Sequence, residues 1–162
     1  MLSNIRKRKA EGGFTIIEVL IVLAIAGLIM LVVFLAVPAL QRNARNTQRR
    51  EDAGNILSAV SEYVANNNGS IPAAQATLGS GNNATLGSGS GVNTVPINLG
   101  YYDAADVSVK VYAAGLTTTV DSITVVTKAL CNGNSVTNTG ASSRSVAIIY
   151  TLENNTSQCR AS

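Results

Sequence analysis

The sequence predicts an α+β chain, with a long N-terminal hydrophobic helix whose C-terminal half packs on a small antiparallel sheet. Three observations predict it. From Val19 to Val37 no side chain is charged or strongly polar. Beyond that run, Ile56, Leu57, Val60 and Val64 recur at helical spacing. The last third then reads as strands. Val107, Val109 and Val111 alternate with Ser108 and Lys110, Ser122 to Leu130 is rich in β-branched residues, and Val146, Ile148, Tyr150 and Leu152 alternate across the final one.

The apolar run decides how the first element must be treated. As a helix, Val19–Val37 spans roughly 28 Å, about the hydrocarbon thickness of a bilayer. A cleaved secretory signal has a shorter apolar core followed by a small-x-small site, whereas here Ala36-Val37-Pro38-Ala39 puts a proline in that place. A plain single-span anchor accounts for the length, and Arg6, Lys7, Arg8 and Lys9 before the run fit the positive-inside rule. Arg42, Arg45, Arg49 and Arg50 follow the run, however, so charge alone orients the segment weakly. The anchor also leaves Glu18 unexplained, because an ionised carboxylate at depth in lipid costs on the order of 3 kcal/mol.

Composition excludes several chemistries. The chain has 162 residues, no histidine and two cysteines. Without histidine no Ser/His/Asp or Cys/His set can be drawn, and the commonest metal ligand is missing. The cysteines form no CxxC, so a structural zinc site is unsupported. Gly87-Ser88-Gly89-Ser90-Gly91 lacks the lysine and strand context of a phosphate-binding loop. No enzymatic activity, cofactor or metal is expected. The net charge of +3 comes from the basic cluster before the apolar run; beyond Gly13 the acidic and basic side chains balance. Nucleic-acid binding is therefore not indicated by charge.

The stretch Gly12-Gly13-Phe14-Thr15-Ile16-Ile17-Glu18-Val19-Leu20 resembles the N-terminal motif of the type IV pilin, or prepilin, family: a basic leader ending in glycine, then phenylalanine, a glutamate four residues later and an apolar helix beyond. The resemblance implies cleavage between Gly13 and Phe14 by a membrane prepilin peptidase on the cytoplasmic side. It also implies N-methylation of Phe14 and polymerisation through the N-terminal helix. Glu18 of one subunit would then neutralise the Phe14 amine of a neighbour. The implied partners are other copies of the chain, the peptidase/methyltransferase, a pilus assembly platform and membrane lipid. The implied location is the bacterial cytoplasmic membrane as a single-pass precursor with the leader inside, and then an extracellular pilus. A type II secretion pseudopilin and a DNA-uptake pilin stay open within the family. A membrane-anchored extracytoplasmic binding module is the alternative from another class. Many family members carry a helix proline three residues earlier, where this chain has Leu35; here Pro38 is expected to kink the helix.

On this plan residues 1–13 are the leader and 14–40 the membrane and filament-core helix. Residues 41–68 continue as an amphipathic helix, 69–106 form a Gly/Ser/Asn-rich surface loop, and 107–162 hold the antiparallel sheet. Asn66-Asn67-Asn68-Gly69 followed by Ile71-Pro72 is the expected helix stop. Arg42, Arg45 and Arg49 share a helix face and are expected to be solvated or to meet acids on neighbouring subunits, with DNA or anionic lipid as the sharper alternative. Gly54 weakens the helix locally. Ala76–Gly81 returns as Ala84–Gly89, a repeat too short for a solenoid. Cys131 and Cys159 are expected to form a disulfide outside the cytoplasm, as many pilins staple a C-terminal loop; free thiols are the alternative.

Overall fold

The computed structural model describes residues 13–73, 77–87 and 92–162; the expected basic leader through Gly12 lies outside the described residues. In chain order the elements are α1 (Ile16–Asn66), β1 (Thr77–Ser80), β2 (Asn83–Leu86), β3 (Val95–Asn98), a 3-10 turn (Ala104–Asp106), β4 (Val107–Val111), β5 (Ile123–Thr127), β6 (Leu130–Asn132), β7 (Ser135–Thr137), β8 (Val146–Thr151) and β9 (Ser157–Ala161). The expected α+β arrangement is the observed one. Two compact units divide between Leu40 and Gln41.

In the first unit α1 is exposed at every position from Ile16 to Leu40. Among the described residues no apolar side chain there is buried against protein, so the segment needs an apolar surrounding from elsewhere. The helix continues through Pro38.

In the second unit α1 buries Arg49, Asp52, Ala53, Ile56, Ala59, Val60 and Tyr63. These recur every three or four residues and form one stripe. The stripe packs with Val107, Val109, Ile123, Val125, Ile148 and Tyr150 of the sheet and with Leu86, Val95 and Ile97 of the preceding strands. The helix stops where the sequence expects it. Asn68 and Gly69 take left-handed backbone, and the Gly69 N–H returns to the Val64 carbonyl at 2.8 Å.

Two expectations about the sheets need correction. The first concerns 69–106, read as a surface loop, which contains an antiparallel sheet ordered β1-β2-β3. The short repeat is the reason: Thr77 faces Leu86 and Leu78 faces Thr85, so the two Thr-Leu copies pair across a Gly81-Asn82 turn. A two-residue Gly-Asn connection is a hairpin signal that the low-complexity composition obscured. The second concerns the main sheet, ordered β4-β5-β8-β9, which is mixed rather than wholly antiparallel. β4 and β5 run parallel, with Val107 beside Ile123 and Val111 beside Thr127. Alternation reveals which face a side chain takes but not strand direction, and the connection 112–122 is long enough to carry the chain back to the starting end. β9 was not expected as a strand, because Ser157–Ala161 lacks apolar alternation; it is held by its ladder to β8 and by its cysteine.

β5 and β8 are buried along their whole length because both faces of the sheet are covered. The face away from α1 carries a second, smaller core of Val126, Ala129, Ala147 and Ile149, with Tyr112, Leu116 and Val136 against it. The expected disulfide sits in this core. Cys131 on β6 and Cys159 on β9 are bonded, with Cα atoms 5.6 Å apart.

The arginine face is the third correction. Arg49 is fully buried rather than solvated. Its guanidinium lies 4.2 Å from the centre of the Tyr101 ring, donates to the Tyr101 hydroxyl, and stands 3.5 Å from Glu153 Oε1. Arg45 makes a bidentate pair with the same Glu153, at 2.6 and 2.9 Å. The Glu153 N–H in turn donates to Asn46 Oδ1 at 3.0 Å. Nearby, the buried Asp52 carboxylate accepts the backbone N–H groups of Gly100, Tyr101 and Tyr102 at 2.6, 2.8 and 3.1 Å. Gly54 also acquires a role: a Cβ there would lie 3.3 Å from Arg160 Nη1, which crosses the helix to reach the Arg50 carbonyl.

Two outcomes follow from these contacts. Asp52→Ala leaves three N–H groups without an acceptor and should cost about 3 kcal/mol in denaturant unfolding, whereas Glu51→Ala at the exposed neighbouring position should change stability by less than about 0.5 kcal/mol. The hydrogen bond from Arg45 holds the Glu153 carboxyl below its ordinary 4.5. A carboxyl depressed in the folded state contributes stability above its unfolded value and loses it as pH falls through the folded one. Stability measured from pH 7 downward should therefore decline below about 4.5 partly through Glu153, and Glu153→Gln should flatten that part of the profile while lowering the plateau.

Candidate functional site: the N-terminal end of the apolar helix

α1 begins with a reciprocal cap that the sequence spells out as Thr15-Ile16-Ile17-Glu18. Thr15 Oγ1 accepts the Glu18 N–H at 3.3 Å. Glu18 Oε2 accepts the Thr15 N–H at 3.0 Å and the Thr15 hydroxyl at 2.8 Å. Two of the helix's otherwise unpaired N–H groups are thereby satisfied, and the carboxylate stands at the positive end of the helix dipole. The spacing of threonine and glutamate before an apolar run signals this arrangement, and sequence reasoning missed it by considering Glu18 only as a charge in need of an outside partner. Glu18 therefore has a local task even in a single chain.

The structure brings the expected site residues into one short stretch. Phe14 is 88% exposed immediately before the cap. Gly13 has open space where a Cβ would be, so packing among the described residues does not demand glycine there. Glu18 reaches back to Thr15, the residue following Phe14, and only its Oε2 is engaged among the described residues. Oε1 is left to accept a further donor, and a cationic group near Phe14 is the kind of donor that an ionised carboxylate binds most strongly. From this end onward α1 is long and apolar enough to cross a membrane. Pro38 lies within the helix near the end of the exposed apolar stretch, and Cys131 and Cys159 lie in the second unit. Among the described residues no group of three or more His, Cys, Asp or Glu side chains could hold a metal ion.

Residues 8–34 match the family model of the prokaryotic N-terminal methylation motif. The chain carries a prepilin-type N-terminus. This is the cleavage and methylation motif of type IV pilin-like proteins, a structural class, and with the apolar helix it fits a membrane-anchored precursor. The match spans the expected cut, the capped helix start and most of the exposed apolar run, and ends before Pro38. Comparison with curated proteins and with solved structures gave no match.

Thr15→Ala removes one half of the cap and should loosen the first helical turn by about 1 kcal/mol. Hydrogen exchange of the full chain in detergent micelles should show faster exchange at Glu18 and Val19, with the amides around Leu28 unchanged.

Proposed function

We propose that the chain is a structural subunit of a type IV pilus. Its leader is cut between Gly13 and Phe14 by a prepilin peptidase, the Phe14 amine is N-methylated, and the apolar helix carries the mature subunit from the cytoplasmic membrane into an extracellular filament. One observation supports this above the others: a prepilin-type motif opens a helix that is apolar and exposed from Ile16 to Leu40 and carries a single carboxylate, Glu18, at its start. Packing such helices together removes their apolar surface from lipid or water while each Glu18 meets a neighbour's Phe14 ammonium.

The energetics favour assembly over the lone subunit. The cap satisfies Glu18 Oε2 but leaves the negative charge uncompensated, and an uncompensated charge at depth in a low-dielectric medium is costly. Cutting before Phe14 supplies a positive terminus, so pairing across subunits removes that cost and sets their axial register. Pro38 has no N–H for the Phe34 carbonyl and marks the place where the packed helix would loosen.

N-terminal mass spectrometry of the protein from its native cell should find methylated Phe14 as the first residue, and electron microscopy of sheared material should find filaments. Glu18→Gln separates the two roles of the carboxylate, because glutamine can still complete the helix cap but carries no charge. It should abolish filaments while leaving exchange at the first helical turn as in wild type. A mature chain still beginning at Met1 and found only as monomers would refute the proposal.

A further inference from the structure

In the second unit, among the described residues, Val111 is the only large apolar side chain that is exposed, at 53%. It lies at the end of β4 on the wall of a cleft of about 400 Å³, shared with Tyr112, Lys128, Asn138, Ser142 and Ser143. A cleft of this size falls within the range that holds small ligands.

Lys128 is the second oddity of the same cleft. It takes a left-handed backbone with φ of 59°. Among the described residues the other non-glycine positions in that region are Asn68 and Asn155, and asparagine tolerates it far better than lysine. The turn between β5 and β6 imposes the conformation, with the Lys128 and Ala129 N–H groups both directed to the Ser145 carbonyl at 2.8 and 3.3 Å. Backbone geometry alone would favour glycine or asparagine here, so what lysine adds is its side chain.

The remaining lining defines the chemistry. No acidic side chain borders the cleft, and Lys128 makes no ion pair among the described residues. The Ser142 hydroxyl is committed to its own turn, bonding Ser145 Oγ at 3.0 Å and accepting the Arg144 N–H at 3.2 Å. Asn138 and Ser143 are exposed and present a carboxamide and a hydroxyl. Tyr112 is half-buried, packed against the second core while also lining the cleft. An ammonium, a carboxamide, a hydroxyl and an apolar-aromatic wall together match a hydroxylated ring that bears an anionic group: the ring's C–H face meets Val111 and Tyr112, its hydroxyls meet Asn138 and Ser143, and its anion meets Lys128.

We infer that this cleft binds an acidic saccharide, a sugar carrying a carboxylate, with Lys128 as the residue that selects for charge. The site uses only residues of the second unit and stands whether or not the chain forms filaments.

The test is an NMR titration of the full chain in detergent micelles with three probes: trigalacturonic acid, neutral galactotriose and inorganic phosphate. Trigalacturonic acid should shift the backbone amide of Lys128 and the side-chain amide of Asn138, saturating with a Kd on the order of 1 mM. Galactotriose and phosphate should each bind at least about tenfold more weakly. Lys128→Asn keeps the left-handed turn and should weaken trigalacturonic acid by about tenfold without lowering the unfolding temperature, while Lys128→Arg should retain binding. Any of these outcomes would overturn the assignment: no shifts with trigalacturonic acid at tens of millimolar, equal affinity for the neutral sugar, or an affinity unchanged in Lys128→Asn. Phosphate binding as tightly as the saccharide would also overturn it, since the cleft would then be a simple anion site.

Discussion

A charge buried on a helix draws its partners from whatever covers it, and these pairings organise the second unit, although Arg49 Nε and Nη1 find no hydrogen-bond acceptor among the described residues. Asp52 collects three consecutive N–H groups from residues 100–102, while Arg45 and Arg49 converge on Glu153 in the β8–β9 turn. These contacts join segments far apart in the chain to adjacent turns of one helix. The hydrophobic stripe from Ala53 to Tyr63 supplies most of the buried apolar area on α1, but it is tolerant of sliding and rotation. A carboxylate that needs three donors at hydrogen-bond distance is not. Polar contacts of this kind contribute less to net stability than to the choice of one docking geometry.

The same helix obeys the opposite rule before Leu40. There nothing among the described residues covers it, every side chain is exposed, and the one acid has only one of its oxygens engaged, by its own cap. A single continuous element thus carries an exposed apolar segment with a capped charge at its start and a covered segment with charges neutralised from across the fold. The change falls close to Pro38, where the chain sacrifices a backbone hydrogen bond.

Much of this was legible in the residues. Val107–Val111 is the strand that alternation predicts, the Asn-Asn-Asn-Gly stop ends the helix in place, and the cysteines pair. The Gly-Phe-x-x-x-Glu pattern carried the motif without any knowledge of the fold. What escaped notice escaped for physical reasons. The burial of Arg49 depends on Glu153, 104 residues away, and no local pattern encodes so distant a pairing. The parallel direction of β4 and β5 leaves no trace in alternation. The strands β1 to β3 are only four residues each and lie among Gly, Ser and Asn, so composition resembles a linker although the Gly-Asn turn and the repeated Thr-Leu were present. The Lys128 cleft draws on three separated segments and had no sequence signature.

The position of the cystine has a mechanical corollary. β9 is an edge strand with few apolar side chains, yet its Arg160 lies across α1 while its neighbour Cys159 is covalently tied to β6 on the other face of the sheet. The cystine means that β9 cannot peel from the edge of the sheet without also dragging the β6–β7 hairpin. While the cystine is intact, opening this edge therefore disturbs the β8–β9 and β6–β7 ladders together.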